Sequence, residues 1–574
     1  MQEECLNIFR GGTTKATPQG TLSYTYDKAG NVASMASNND SVHGLSVAYT
    51  YDNLNRLSTV VDNRLVGQNT TTYGYDPASN LATVTYPNGL SSNFTYDDLN
   101  RLKALNVTNA SYNYTLDQAG NRRQVTESSG RVASWSYDGI YRLTDETING
   151  GSVNGAVTYG LDPVGNRLSQ NSTLSGIGTA SATFDANDHL STETYDNNGN
   201  TIVSGARTFA FDFRNHLKSM TMNGTTVTIV YDGDGNRVAK SVGGVTTRYL
   251  VDDRNPTHLP QVVEEIVNGA VQRTYAYGLQ RINEDQILNG VWAPSFYGYD
   301  GLGSVRQLTD STGAVTDTYS YDAWGNSFGS TGSTPNVYLY RGEQYDSDLQ
   351  LYYLRARYFN PLSGRFITRD STRSKSHCDD NRYLYACADP INRIDPSGHA
   401  NLVTRALLTA SLSLGGWATG GLQSEEEVEE WLDYGVNTLL RAKDLELELA
   451  QKYGNWVYWK VTIAVADVGG KFGGSFTRFI SASAEKVAEG MEDAAAAAQE
   501  LQQLQTGLKE IVERSAGPVE ERFIGWAENE HAEEQLVRAV FEYPAKLSLA
   551  ASRAICPDRC LPIVARVFRV YGPY

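Results

Sequence analysis

Aromatic and polar residues alternate in short segments along the first 330 residues of the chain. In Tyr24-Thr-Tyr26 and Tyr49-Thr-Tyr51 the two rings stand two positions apart, which places them on one face of a β strand. An Asp follows each segment, and Gly, Asn or Arg comes a few residues later. The Asp carboxylate can accept backbone N–H bonds, and Gly and Asn tolerate positive φ. The pattern therefore predicts β-hairpins joined by Asp-containing turns.

The hairpin unit repeats. Successive Asp positions lie 20 to 25 residues apart, as at Asp52, Asp76, Asp97, Asp117 and Asp138. A single hairpin cannot bury its own face, so we expect the units to stack into a continuous sheet. The composition fits short strands and tight turns, because 36 Tyr and 53 Gly accompany only 16 Phe and 5 Met. A chain of 574 residues is also too long for one hydrophobic core.

Residues 20–398 resemble the Rhs/YD-repeat family on these Tyr-Asp motifs. The resemblance implies a mainly β fold in which a spiral of YD-repeat hairpins forms a hollow, cocoon-like shell around a toxic polypeptide. YD repeats also occur in cell-surface proteins, so a structural or adhesive protein without cargo is the alternative.

The segment from Tyr297 to Gly398 carries more specific motifs. It contains Gly-Arg-Phe-Ile-Thr-Arg369-Asp370 and ends in Asp395-Pro-Ser-Gly398. It is similar to the Rhs-associated core domain and to the C components of Tc toxins. The resemblance implies an aspartyl autoprotease that cuts its own chain after the final Asp-Pro-x-Gly. Asp370 and Asp395 would carry the chemistry together with Arg369, and the expected bond is His399–Ala400.

Paired carboxyl groups suit peptide hydrolysis. Two close carboxylates do not both ionise easily, so one can act as a base while the other donates a proton. Three features depart from the family pattern: Asp370 is followed by Ser rather than Pro, the loop 374–380 brings Asp379 and Asp380, and His399 replaces an apolar residue. The alternative is that Asp370 and Asp395 only cap turns.

Composition changes after Gly398, where Tyr-Asp motifs stop and Ala, Glu, Leu and Gln increase. Helical periodicity at 425–450 and 481–514 predicts a mainly α-helical C-terminal effector. We therefore expect a repeat shell at 1–296, a core with the autoprotease at 297–399, and the effector at 400–574. Apolar stretches at 406–422 and 456–470 are short for a membrane span and fit a buried helical core. As a function we favour a membrane-active effector, because small residues allow close helix approach in lipid, and an enzymatic toxin is the rival.

Charge and cysteine content indicate which ligands the protein is not expected to bind. The net charge of −17 argues against nucleic-acid binding by the shell. The five cysteines are too few and too scattered for a disulfide framework, and Cys556 and Cys560 lack further zinc ligands nearby. His531 lies among acidic residues and fits a solvated helix face better than a metal site. We predict no cofactor and no metal.

The family resemblance also implies partners and a destination. These are a cognate immunity protein in the producing cell, a secretion or delivery machinery, and the C-terminal region itself as enclosed cargo. The protein would be made in the bacterial cytoplasm and secreted or delivered to neighbouring cells. The N-terminal sequence shows no signal peptide, and repeats begin almost at once, so we expect the chain to start inside a longer protein.

Overall fold

The computed structural model describes residues 13–67, 69–151, 153–371, 381–399, 402–403, 461–468, 477–484, 520–527 and 547–551. The chain divides into two compact units, Met1–Gly416 and Trp417–Tyr574. The described part of the first unit is mainly β, which confirms the predicted fold class for the repeat region.

The first unit contains two long sheets in which every strand pairs antiparallel with its neighbours in sequence. The first sheet has 16 strands: β1 (Thr14–Thr17), β2 (Gly20–Tyr26), β3 (Val32–Ser37), β4 (Ser46–Tyr51), β5 (Leu57–Asp62), β6 (Thr70–Tyr75), β7 (Leu81–Thr85), β8 (Ser91–Tyr96), β9 (Leu102–Val107), β10 (Ala110–Leu116), β11 (Arg122–Glu127), β12 (Val132–Tyr137), β13 (Leu143–Asn149), β14 (Gly155–Leu161), β15 (Arg167–Ser172) and β16 (Ala180–Ser181).

The second sheet has 14 strands: β17 (Glu193–Tyr195), β18 (Thr201–Ser204), β19 (Arg207–Phe211), β20 (Leu217–Met222), β21 (Thr225–Tyr231), β22 (Arg237–Val242), β23 (Val245–Asp252), β24 (Gln261–Val267), β25 (Ala270–Tyr277), β26 (Arg281–Leu288), β27 (Val291–Tyr299), β28 (Val305–Thr309), β29 (Val315–Tyr321) and β30 (Ser327–Thr331).

Shorter elements follow the two long sheets. A four-stranded sheet consists of β31 (Gln344–Asp346), β32 (Leu351–Leu354), β33 (Arg357–Asn360) and β34 (Arg365–Phe366). A two-stranded sheet consists of β35 (Arg393–Ile394) and β36 (Leu402–Val403). Two short 3₁₀ helices span Tyr340–Gly342 and Ala386–Ala388.

The Asp of each repeat holds the turn of its hairpin. Oδ1 of Asp27 accepts the backbone N–H groups of Ala29 at 2.8 Å and Asn31 at 3.0 Å, and Oδ2 accepts the Asn31 side-chain amide at 2.9 Å. Gly30 has φ +96°, which a side chain would disfavour. These contacts confirm the predicted turn. Some repeats replace the Asn with an Arg that makes an ion pair with the Asp, as in Arg56–Asp52, Arg101–Asp97 and Arg142–Asp138.

The two aromatic residues of a repeat make different contacts. The first, such as Tyr24 or Tyr49, is buried in the core. The second donates its hydroxyl to a backbone carbonyl of the strand preceding its own hairpin. Tyr51 donates to Val32 at 3.1 Å in this way. Each repeat is thereby linked to the one before it, which is the stacking that the sequence predicts.

Buried polar contacts join the first long sheet to the second. The Tyr24 hydroxyl donates to Asp252 Oδ1 at 2.6 Å. Glu264 is buried and accepts from the Asn39 amide and from the backbone N–H of Leu45, both at 2.7 Å. One hydrophobic core contains residues of both sheets. The two sheets are therefore one folded body rather than two separate arrays.

The described part of the second unit is a four-stranded sheet of β37 (Val461–Val468), β38 (Thr477–Ala484), β39 (Glu520–Ala527) and β40 (Leu547–Ala551). The strands lie in the order β39-β38-β37-β40. The helix predicted to begin at Ser481 is therefore wrong over Ser481–Ala484, because this segment pairs with β37 and β39. The remaining residues predicted to be helical, and His531, lie outside the described residues.

The described residues also bear on two further predictions, the membrane-active effector and the lack of a disulfide framework. Within the described residues, no helix is long and apolar enough to cross a membrane, and β37 occupies part of the apolar stretch 456–470. Cys387 is disulfide-bonded, which the scattered cysteine pattern did not predict. The other four cysteines lie outside the described residues.

Candidate active site

Arg357 lies at the centre of the candidate site. It is the first residue of β33, directly after the tight turn from β32, and its side chain is only 4% exposed. The guanidinium lies over the ring of Phe366 in β34, 3.7 Å from the ring centroid. Aromatic faces attract cations and can support such a buried charge. The charge still requires carboxylates nearby, because an unpaired buried cation is costly.

Asp395 supplies one of these carboxylates. It follows β35, and its side chain is fully buried. Oδ1 accepts the backbone N–H of Gly398 at 2.8 Å, so this oxygen does cap a turn. Oδ2 lies 3.2 Å from Nη2 of Arg357. Asp395 therefore does more than cap the turn, since one carboxylate oxygen faces the Arg.

Asp370 supplies the second carboxylate. Its backbone N–H donates to the carbonyl of Arg382 at 3.0 Å, and its side chain is 13% exposed. Oδ2 lies 2.7 Å from the same Nη2 of Arg357 that contacts Asp395. The two predicted residues are thus brought together around one guanidinium nitrogen, and one of them remains accessible to solvent.

The segment that contains the expected cut is anchored on this cluster. The Nε of Arg357 donates to the carbonyl oxygen of Gly398. Gly398 has φ +82°, and a Cβ there would collide with the carbonyl oxygen of Leu354. His399 directs Nδ1 to Asp370 Oδ1 at 2.9 Å. Gly398 and His399 are therefore both in contact with the carboxylate cluster, whereas Ala400 lies outside the described residues.

The chain beyond the expected cut pairs with the strand before it. Val403 is in register with Arg393, and Leu402 with Ile394. The segment around His399 is thus the loop of a small antiparallel hairpin. This hairpin keeps the loop beside Asp395, which directly follows β35.

Arg369 is placed differently from Arg357. Its side chain is exposed, and its aliphatic part lies beside the turn at Gly199. The role that the resemblance gives to Arg369 stays a prediction, while Arg357 is the arginine found between the two carboxylates.

The sequence did contain a signal for Arg357: it interrupts the run of buried aromatic and aliphatic residues in β32 and β33. The acids Asp379 and Asp380 lie outside the described residues.

The arrangement contains the groups needed for peptide hydrolysis. The two carboxyl groups contact the same guanidinium nitrogen, and repulsion between like charges this close allows one to be ionised while the other keeps a proton. The Arg357 Nε–H donates to the carbonyl of Gly398 and so fixes the peptide group that precedes His399. Among the described residues, no group of three or more His, Cys, Asp or Glu side chains is arranged to hold a metal ion.

A protein-family model, Teneurin YD-shell, matches residues 10–124 and 120–391. The match covers both long sheets and most of the candidate site, including Arg357 and Asp370.

Curated relatives match smaller parts of the chain. The tRNA nuclease WapA of Bacillus subtilis (strain 168) is 32% identical over 268 residues, which is 44% of this chain and 11% of that protein. The tRNA3(Ser)-specific nuclease WapA of Bacillus spizizenii is 33% identical over 272 residues, again 44% of this chain and 11% of the relative. The alignments span about a tenth of the length of these relatives.

Solved structures share the fold. The crystal structure of TcdB2-TccC3 superposes with a TM-score of 0.57 at 17% identity, covering 66% of this chain and 22% of the other. The Photorhabdus luminescens Tc holotoxin pore gives a TM-score of 0.56 at 16% identity, with 67% of this chain and 21% of the other covered.

Proposed function

The chain belongs to the Teneurin YD-shell family, and on this premise we propose that it is the self-cleaving shell of a toxin that encloses its own C-terminal effector. The observation that carries the proposal is the contact of Arg357 with Asp370, Asp395 and the carbonyl of Gly398. This geometry supports an aspartyl autoprotease whose substrate is the loop after Gly398. The expected product is a C-terminal fragment that begins at Ala400.

The proposed reaction is hydrolysis of one peptide bond. The ionised carboxylate takes a proton from water, and the resulting hydroxide adds to the carbonyl carbon of His399. The protonated carboxyl gives its proton to the nitrogen of Ala400 as the C–N bond breaks. One water molecule is consumed, and a new carboxyl and a new amine are formed. Because the bond belongs to the same chain, no substrate has to be bound from solution.

The test is a denaturing gel of the freshly expressed full chain. Wild type should give fragments of 399 and 175 residues, as the position of His399 in the sequence requires. Asp370→Asn and Asp395→Asn should each leave one band of full length. Asp252→Asn is the matched control, since Asp252 is equally buried but pairs with Tyr24 elsewhere in the fold. A wild-type chain that stays intact would exclude the proposal, and mass spectrometry of the smaller fragment would identify the cut bond.

Enclosure of the cargo has a separate test. If the shell holds the effector, the two fragments should co-elute in native size-exclusion chromatography and separate only in denaturant. Protease added to the native complex should then digest the C-terminal fragment no faster than the shell. Immediate separation of the fragments would argue for an open scaffold, as in the structural or adhesive interpretation of the repeats.

For the effector, we favour an enzymatic toxin over a membrane-active one. The second apolar stretch contains β37, which pairs with a strand on each side and so belongs to a folded sheet. Two relatives are named as tRNA nucleases, which makes RNA the first substrate to test. Expression of residues 400–574 in a bacterial host should then degrade tRNA before the membrane becomes permeable to dye. Early dye entry with intact tRNA would favour the membrane-active alternative.

The remaining parts of the proposal concern delivery to other cells and protection of the producing cell. A toxin of this kind is delivered to other cells, and its producer needs an immunity protein that binds the effector. Co-expression of genes adjacent to the toxin gene should identify one that restores growth to the host that makes residues 400–574. Restoration by none of them would count against the interbacterial role.

A further inference from the structure

His399 is the residue directly before the expected cut, and its side chain contacts Asp370. Its imidazole Nδ1 lies 2.9 Å from Oδ1 of Asp370, and its side chain is 26% exposed. Its backbone N–H donates to Oγ of Ser397 at 3.1 Å. Oδ2 of Asp370 is already engaged by Arg357, so the two oxygens of this carboxylate face different partners. One of these partners is part of the segment to be cut.

We propose that His399 is a positioning residue for self-cleavage: its Nδ1–H donates to Asp370 and holds the adjoining peptide bond against the carboxylate pair. This inference rests on the proposed autoprotease function and specifies how that site recognises its own chain. The chemical requirement is a hydrogen-bond donor at the Nδ1 position of residue 399. An apolar side chain, which the family pattern has at this position, cannot form this contact, so the role is specific to this chain.

Three contacts link Gly398 and His399 to the cluster of Arg357, Asp370 and Asp395, and His399 provides the one nearest to the expected bond. Gly398 provides the other two, through its N–H to Asp395 and its carbonyl to Arg357. Both of these anchors act on the residue before His399. Without the imidazole contact, the bond after residue 399 could rotate relative to the carboxylates, and such misplacement slows a reaction strongly.

Two other His–Asp pairs among the described residues show what an ordinary structural pair looks like. His216 Nδ1 lies 3.1 Å from Asp212, and His189 Nδ1 lies 3.2 Å from Asp185. Both pairs join residues four positions apart within one hairpin turn. The pair of His399 and Asp370 instead joins segments 29 residues apart. It therefore fixes the position of one segment against another, which a turn contact does not.

The experiment compares three substitutions of His399 in the full-length chain by the time course of fragment appearance. His399→Leu removes the donor and should slow cleavage by about tenfold or more. His399→Asn puts an amide N–H close to the position of Nδ1 and should restore the rate to within about threefold of wild type. His399→Gln places its amide one carbon further out, near the position of Nε2, and should remain slow.

His216→Asn is the matched control, because it changes the same kind of pair within one hairpin turn of the second long sheet and should leave the rate unchanged. Unfolding midpoints of all variants verify that the shell is folded. A Leu variant that cleaves as fast as wild type, or an Asn variant as slow as Leu, would overturn the positioning role. Both results leave the autoprotease intact, whereas an uncut wild-type chain removes the proposed function itself.

Discussion

Replacement of Arg357 by Met tests whether the guanidinium, and not only the two acids, makes the site work. Met approximates the length of the side chain and retains an apolar contact with Phe366. It removes the donors to Asp370, Asp395 and Gly398. The two carboxylates would then face each other with no cation between them.

The expected magnitude follows from the contacts. Removing one partner of a buried ion pair costs about 3–5 kcal/mol of stability. Asp395 is fully buried, so it cannot recover that loss from water without rearrangement. The Gly398 carbonyl next to the expected cut also loses its donor, and a misplacement of about 1 Å can slow a reaction by about a hundredfold. We therefore expect Arg357→Met to lower the unfolding midpoint and to slow cleavage of the folded fraction by about a hundredfold.

The assay separates these two effects. Protein that is purified as folded monomer is followed by gel over time, and unfolding is measured separately in denaturant. Arg306→Met is the control, because Arg306 holds Glu127 through two contacts of 3.1 Å in a similarly buried pair that includes neither Asp370 nor Asp395. It should lower stability but leave the cleavage rate of folded protein unchanged. Equal cleavage rates in Arg357→Met and Arg306→Met would refute the role of Arg357.

Three further predictions test other features of the fold. Burial raises the pKa of Glu284 to about 7, so its contribution to stability is present below the unfolded pKa of about 4.5 and is lost as pH rises through 7. Glu284→Gln should reduce the decline in stability between pH 5 and pH 8 by an amount on the order of 2 kcal/mol, seen as a smaller shift of the unfolding midpoint. Gly398→Ala should slow cleavage, measured by the same gel time course, because φ +82° and the Leu354 carbonyl leave no room for a Cβ. Asp97→Ala should lower the free energy of unfolding by about 1–3 kcal/mol in chemical denaturation, since the Asp97 carboxylate accepts the backbone N–H of Arg101 and pairs with its guanidinium.

The hairpins could be predicted because their determinants are local. Asp27 and Asn31 are four residues apart, and the turn that they form depends on little else. The contact between the two long sheets could not be predicted in this way. Tyr24 and Asp252 are 228 residues apart, and many tyrosines and aspartates in the sequence would have been equally plausible partners. The prediction at Ser481 failed for a related reason, since pairing with two neighbouring strands overrides helical periodicity.

The site was predicted only in part. The motifs identified Asp370 and Asp395, and the structure places them together. Arg357 was missed because it lies in a hydrophobic hairpin and meets Asp395 38 residues later in the chain. Its burial beside Phe366, which makes it a charge in need of carboxylates, is visible only when the strands are folded.

If the chain is cut as proposed, the hairpin of β35 and β36 makes cleavage and release separate events. Leu402 and Val403 lie beyond the expected cut, yet they pair with Ile394 and Arg393 before it. Breaking the chain in the loop between these strands leaves the backbone pairing intact, so the new end stays where it was formed. A ladder of two residue pairs is weak by itself. The proposed cut would therefore replace a covalent link with a weak backbone pairing, and release of the C-terminal fragment would depend on the loss of this pairing.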